Sequence, residues 1–583
     1  MTTRFGGLVT VLVLVGASPP WAQGQRVGVI ERNVAVPMRD GVVLRADVWR
    51  PAATGRFPTL VYRTPYSKAE VFATYSLFRR AVERGYAVVA QDVRGRYRSD
   101  GEFLPYQQEG KDGYDTIEWV AEQPWSSGDV GTFGLSYPGA VQWLAAVESP
   151  PHLKAMVPAM TFASPFHFWY SGGVWDGSWI AWIWNNIAPD QRRRDDVSGI
   201  KTVAQARQTW PVLGRPLQEV LPLQAMKAFE GVADWYYEWM RHPPGDPWWS
   251  WADLTDKYER VTAAVLNLSA WHDDAYGPAG ATTNFAGLAR TRAGRGEGLR
   301  AGLILGPWTH GIGPIARTQS GERDMGPAAA RDYDEIVLRW MDRWVRGIEN
   351  GVDQEEPVQL YVMGADRWLE LDAWPPPGAL ARAFYLAEGG ALRDSAGAGD
   401  SASTTFISNP ALPVRDPFAE RPGAHDYRRL AEREDVVVFD SEPLPSDLLV
   451  AGPIEAEMYI SVDAPDTDLW VRLLDVAPDG TAYNLMSPGL DVIRAGYRDG
   501  GPERKPLVRG EVYRLRLPNL LTANLFRQGH RIRVQVSASF MPHMSRNLHT
   551  GESEVASIGM RRARITLHHS PERPSRITLP VVP

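Results

Sequence analysis

A serine among small residues, two histidines that follow apolar runs and two adjacent aspartates are the groups best placed for chemistry in this 583-residue chain. The serine is Ser136, in Gly131-Thr132-Phe133-Gly134-Leu135-Ser136-Tyr137-Pro138-Gly139. A strand-like run, Val130 to Phe133, leads into this segment, and a helix-like run, Ala140 to Glu148, leaves it. That is the setting of a nucleophile elbow, a tight strand-to-helix turn that exposes a serine hydroxyl at the C-terminal edge of a sheet. Small residues are needed there because neighbouring backbone crowds the turn. The helix N-terminus adds free N–H groups and a positive dipole end, which favour a developing oxyanion. The pattern departs from Gly-x-Ser-x-Gly: position 138 is proline, and glycine follows at 139. Proline is tolerated in a helix's first turn, so the geometry survives. The plainer alternative is a serine that only caps a helix.

A serine nucleophile needs a base within hydrogen-bond reach and a carboxylate to orient it. Two loops fit, each just past an apolar run. Ser269-Ala270-Trp271-His272-Asp273-Asp274 follows Val265 to Leu268, and Gly306-Pro307-Trp308-Thr309-His310-Gly311 follows Leu303 to Leu305. Strand ends of this kind form the site in an open α/β sheet. His310 is the candidate base, in the chain order serine, acid, histidine. His272 competes but precedes the acid. Spacing alone does not separate Asp273 from Asp274.

The elements that must hold these groups alternate strand and helix signals. Thr59-Leu60-Val61-Tyr62, Tyr86 to Ala90, Val130 to Phe133 and Leu153 to Val157 read as strands. Val71, Tyr75, Phe78 and Val82, then Ile117, Val120 and Ala121, mark helix faces between them. Such alternation predicts βαβ units and a mostly parallel sheet. The pattern breaks after about residue 160. Eleven of the 23 tryptophans fall in residues 151–255, without strand alternation, which predicts a largely helical cap. Most of these rings should pack the cap's own core, and some should wall a substrate pocket. The α/β pattern then resumes, and from about residue 355 the period becomes two, as in Ile454, Ala456, Met458, Ile460 and Val462. Many short strands predict a jelly roll. The expected organisation is therefore an export signal over 1–22, an α/β domain over 27–150 and 256–350, a helical cap over 151–255, and a C-terminal β jelly roll over 355–583.

Composition narrows the function. With 62 basic and 69 acidic residues the net charge is −7, which argues against a nucleic-acid partner. The absence of cysteine removes disulfides, thiol nucleophiles and thiolate metal sites. Arg4, the apolar stretch Phe5 to Val15 and the small residues up to Ala22 read as a cleavable signal, which implies a periplasmic or secreted protein. No later segment is apolar enough to span a membrane. A homo-oligomer is compatible with the sequence.

Gly134-Leu135-Ser136-Tyr137-Pro138-Gly139 resembles the elbow of the cocaine esterase and Xaa-Pro dipeptidyl-peptidase family, which includes α-amino acid ester hydrolases and cephalosporin acylases. The likeness continues in Val36 to Gly41, Gln91 to Arg96, Asp112 to Asp115, Gln123-Pro124-Trp125, Thr467-Asp468 and Ser539 to Pro542. It implies an α/β-hydrolase fold with a helical cap and a jelly roll, and a serine esterase that needs no metal or organic cofactor. On the family's motifs, Ser136 matches the nucleophile, Asp273 the acid and His310 the base. Arg63-Thr64-Pro65-Tyr66 matches the loop whose tyrosine hydroxyl helps form the oxyanion hole, with the Tyr137 backbone N–H as second donor. His272 stands where the family usually has tyrosine or phenylalanine.

The expected substrate is a small ester or amide. Amino-ester hydrolases of the family carry acidic residues two and three places after the catalytic aspartate; here those places hold Ala275 and Tyr276. An apolar or aromatic acyl group is therefore expected against the cap, with Phe166, Trp169 and Trp175 as candidate contacts. Asp176 is the carboxylate that could restore amine binding. Dipeptidyl-peptidase or amino-ester and β-lactam acylase activity is the alternative, and a catalytically dead carbohydrate-binding or adhesion protein is a more distant one.

Overall fold

Leu60 and Val61, like Val88 and Val89, are all buried, yet neighbours point into different cores: Leu60 and Val88 into one, Val61 and Val89 into the other. Strands are apolar on both faces when helices cover both sides of a sheet. A computed structural model describes residues 28–396, 402–488 and 492–583 and shows such a sheet. The proposed signal at 1–22 lies outside the described residues.

The sheet has ten strands: β1 (Val29–Pro37), β2 (Val43–Arg50), β3 (Phe57–Thr64), β4 (Ala87–Asp92), β5 (Ser126–Leu135), β6 (Leu153–Ala159), β7 (Ala264–His272), β8 (Ala301–Thr309), β9 (Val358–Val362) and β10 (Arg367–Leu371). Their order is β1-β2-β4-β3-β5-β6-β7-β8-β9-β10. From β4 to β9 all neighbours are parallel; β1, β2 and β10 join antiparallel. The helices Glu109–Ala121 and Tyr137–Ala146 pack on one face, and Ser76–Glu83 and Tyr333–Trp344 on the other.

Two boundaries differ from the sequence expectation. Residues 153–159 are β6, paired with β5 and β7, so the cap starts after Ala159 rather than at 151. Residues 358–371 form β9 and β10 of this sheet, not jelly-roll strands, because β9 extends β8 in parallel register. A period of two identifies a strand but not the sheet that receives it. The second, twelve-stranded sheet begins at Leu380–Ala387 and is built around the long strand Leu448–Val462.

The cap is mainly helical, with a short ribbon at Tyr170–Ser171 and Val174–Trp175. It is bonded to the jelly roll through its backbone: Gly177 N–H to His543 O at 2.9 Å, Ser545 N–H to Trp175 O at 2.8 Å and Arg494 N–H to Gly172 O at 2.8 Å. The jelly roll also meets β9, where Met363 and Leu525 exchange backbone bonds with the partner strands. The C-terminal ends of β3, β5, β7 and β8 thus face a space bounded by the cap.

Candidate active site

Ser136 sits between β5 and the helix Tyr137–Ala146 with φ 71° and ψ −130°. A non-glycine residue at positive φ is strained and is tolerated only where surroundings fix it. Here Ser136 N–H bonds Ala159 O of β6 at 3.0 Å, and Ser136 O accepts from Gly139 and Ala140 N–H at 2.8 and 2.9 Å. The small residues are required by contact. A Cβ on Gly139 would lie 2.5 Å from Ala159 O, and one on Gly134, at φ 146°, 2.5 Å from Pro138 Cβ.

Asp273 and His310 follow β7 and β8. His310 Nδ1 lies 2.8 Å from Asp273 Oδ1, with the carboxylate fully buried. The same oxygen accepts N–H bonds from Ala275 at 3.0 Å and Tyr276 at 3.3 Å. Burial alone lowers the His310 pKa, but the charge and hydrogen bond of Asp273, with a smaller contribution from Asp274, raise it above the ordinary value. Asp274 turns away and lines small voids with His543, so it is Asp273 that meets the imidazole. His272, the competing base, is buried beside those voids rather than facing Ser136, and burial pushes its pKa down to about 3.

Ser136, His310 and Tyr66 line one cavity of about 620 Å³. Tyr66 follows β3 on a loop fixed by Lys68 N–H to Asp92 at 2.7 Å and by Lys68 Nζ to Asp47 at 3.0 Å. Its phenol interacts with the Ser136 side chain, and burial pushes its pKa up to about 12, so it keeps its proton at neutral pH. The Tyr137 ring is buried beneath the site, its hydroxyl donating to Glu109 at 2.7 Å. Its backbone N–H belongs to the first helical turn, where no intrahelical acceptor exists. A serine hydroxyl, an imidazole held by a carboxylate, a phenol and an N–H of a first helical turn are therefore gathered at one sheet edge.

The aromatic contacts differ from expectation. Phe166 is a surface residue, Trp169 is fully buried in the cap's core, and Trp175 packs on Tyr170 and Tyr236; none of the three lines the cavity. Phe168, Trp179 and Trp182 do, with Tyr106 and Tyr276. Residues 165–167 form a 3-10 turn immediately before Phe168 and Trp169. Tyr276 stacks on Phe168 at 4.2 Å and faces the His310 ring at 5.8 Å. Its signal in the sequence was its place three residues after Asp273. Asp176 does not line this cavity; it lies in an adjoining void of about 20 Å³ with Asp274 and His543, which shares Ser178, Ala275 and Tyr276 with the cavity. Glu70, exposed, is the cavity's carboxylate.

Residues 40–312 match the X-Pro dipeptidyl-peptidase (S15 family), and residues 350–578 match the X-Pro dipeptidyl-peptidase C-terminal non-catalytic domain. The chain is 32% identical to the cocaine esterase of Rhodococcus sp. (strain MB1 Bresler), over 95% of this chain and 98% of that protein. Two solved structures superpose with TM-scores of 0.81. One, an α-amino acid ester hydrolase, is 25% identical, covering 98% of this chain and 99% of its own. The other, an aminopeptidase from a marine sediment Thaumarchaeota archaeon, is 24% identical, covering 97% and 99%, and supports the fold. With its parallel sheet, serine elbow and C-terminal β domain, the chain belongs to the cocaine esterase and Xaa-Pro dipeptidyl-peptidase-like family of α/β-hydrolase serine hydrolases.

Proposed function

We propose that the protein hydrolyses carboxylic esters through an acyl-enzyme on Ser136, with His310 as base, Asp273 as its orienting acid, and the Tyr66 hydroxyl and Tyr137 N–H as oxyanion donors. The observation that carries this reading is the 2.8 Å contact between Asp273 and His310 at the edge of the cavity that Ser136 and Tyr66 share. Ser136 Oγ attacks the acyl carbon while His310 takes its proton. The carbonyl oxygen becomes an oxyanion held by the two donors. Collapse expels the alcohol, protonated by His310, and water repeats the sequence on the acyl-enzyme. Asp273 holds the imidazole tautomer and stabilises the imidazolium.

The Rhodococcus relative's name supports ester cleavage. The lining favours an aromatic or apolar acyl group: Phe168, Trp179 and Trp182 share the cavity with Ser136, and Ala275 and Tyr276 offer no carboxylate to an α-ammonium group. Parallel assays of benzoyl and phenylacetyl esters against alanyl and glycyl-prolyl esters and amides test this. The aryl esters are expected to be preferred, and Ser136→Ala to abolish turnover. Preference for the aminoacyl set would overturn the substrate reading, and turnover by Ser136→Ala the mechanism. The sequence pattern of residues 1–22, read as an export signal, supports a periplasmic or secreted mature enzyme, which the N-terminal mass of the exported protein checks.

A further inference from the structure

Trp182 donates its indole N–H to the Tyr66 hydroxyl, Nε1 to Oη, at 2.9 Å. An indole nitrogen only donates, whereas a phenol hydroxyl carries one proton and accepts through its oxygen. The Trp182 contact therefore fills an acceptor position of Tyr66 and leaves the phenol proton for another oxygen. Among the described residues no carbonyl or carboxylate accepts that proton, and besides Trp182 the side chain that meets the phenol hydroxyl is that of Ser136. We infer that Trp182 is a positioning residue that aims the Tyr66 proton at the oxygen developing charge above Ser136. The inference rests on the roles proposed above for Ser136 and Tyr66.

The surroundings fix both partners. Trp182 is stacked with the Tyr137 ring at 6.2 Å and 11°, and meets Trp179 and Trp235 edge-on at 5.4 and 5.9 Å. It ends the helical turn Trp179–Trp182, which runs into a π-helical turn at Ile183–Ile187. Such turns are rare and often occur at functional sites. The last carbonyls of this turn, Asn186 O and Ile187 O, accept from Arg96 at 3.1 and 3.0 Å. Arg96 Nε donates to Pro65 O, one residue before Tyr66, at 3.0 Å. One fully buried guanidinium thus ties the loop bearing the phenol to the cap segment bearing the indole. The cap then contributes to the oxyanion site itself, in addition to walling the cavity.

A merely packing or substrate-stacking tryptophan behaves differently. Stacking on an aryl group acts through KM and varies with the acyl group. Orientation of a transition-state donor acts through kcat and is blind to it. Trp182→Phe keeps a ring and removes the N–H. Steady-state kinetics of Trp182→Phe, Tyr66→Phe and the double variant, on acetyl and benzoyl esters of one phenol, separate the cases. Tyr66→Phe is expected to lower kcat by about a hundredfold or more. Trp182→Phe is expected to lower kcat about tenfold on both esters, the worth of one neutral hydrogen bond, with KM little changed. In the Tyr66→Phe background the Trp182 effect should vanish, since its target is gone. A Trp182 effect that persists undiminished there, or one confined to KM for the benzoyl ester, overturns the inference and leaves the proposed mechanism standing. An unchanged kcat in Tyr66→Phe overturns the assignment of Tyr66, and the inference with it. A crystal structure of the wild-type protein carrying a covalent phosphonate on Ser136 needs no variant. Tyr66 Oη should meet the phosphonyl oxygen while Trp182 Nε1 stays bonded to it; an indole turned away would refute the inference.

Discussion

Asp273→Asn isolates the charge of the proposed acid from its geometry. Asp273 Oδ1 faces three donors, His310 Nδ1 and the N–H groups of Ala275 and Tyr276, so an asparagine carbonyl oxygen placed there keeps all three bonds. What disappears is a negative charge beside the imidazolium that forms when His310 takes the Ser136 proton. Unit charges about 4 Å apart at an effective dielectric of about 20 attract by about 4 kcal/mol. Losing that in the transition state lowers kcat by about a thousandfold. The pH profile gives the sign independently. His310 must be neutral to act as base, and Asp273 raises its pKa above the ordinary value. Wild-type kcat/KM should therefore rise with pH through a pKa above about 6.5, and in Asp273→Asn that limb should move to lower pH. Initial rates on a p-nitrophenyl ester, buffered across the acid and neutral range, read both effects. A loss smaller than about tenfold with an unmoved limb would refute the charge argument.

Other perturbations test how the site is held. Phe168→Ala should raise KM for benzoyl esters, because Phe168 lines the cavity. Trp169→Ala, next in sequence but fully buried, should instead lower stability by about 3–5 kcal/mol in urea unfolding and leave KM of the folded fraction unchanged. Gly139→Ala would by helix propensity stabilise by about 1 kcal/mol; the 2.5 Å approach to Ala159 O predicts instead a lower melting temperature and a lower kcat, measured together. Arg494 is buried in the jelly roll between Asp468 and Glu554, bonded to both. Arg494→Met should strand two buried carboxylates and cost about 3–5 kcal/mol by the same unfolding assay.

The candidate catalytic groups were legible because each follows a strand end. Ser136 announces its turn through Gly134 and Gly139, whose missing side chains the neighbouring backbone demands. His310 lies just past a buried run, where a parallel sheet presents its loops. Asp273 and Asp274 were not separable by spacing, because adjacent residues leaving a strand point to opposite sides, and only the fold says which side holds His310. The same ambiguity misplaced the aromatic contacts. Tryptophan-rich composition announced a cap, but which rings line the cavity and which pack the cap's core is decided by tertiary contacts among its short turns. Alternation after residue 355 revealed strands but not that β9 and β10 complete the first sheet, since the partner of an edge strand is a tertiary fact.

Reaction of the wild-type protein with a fluorophosphonate, with the adduct located by peptide mass spectrometry, decides whether Ser136 is the nucleophile. A single stoichiometric adduct is expected on the peptide containing Ser136, lost in Ser136→Ala and slowed in His310→Ala. An ester-cleaving protein that leaves this peptide unmodified, or carries the adduct on another residue, would contradict it.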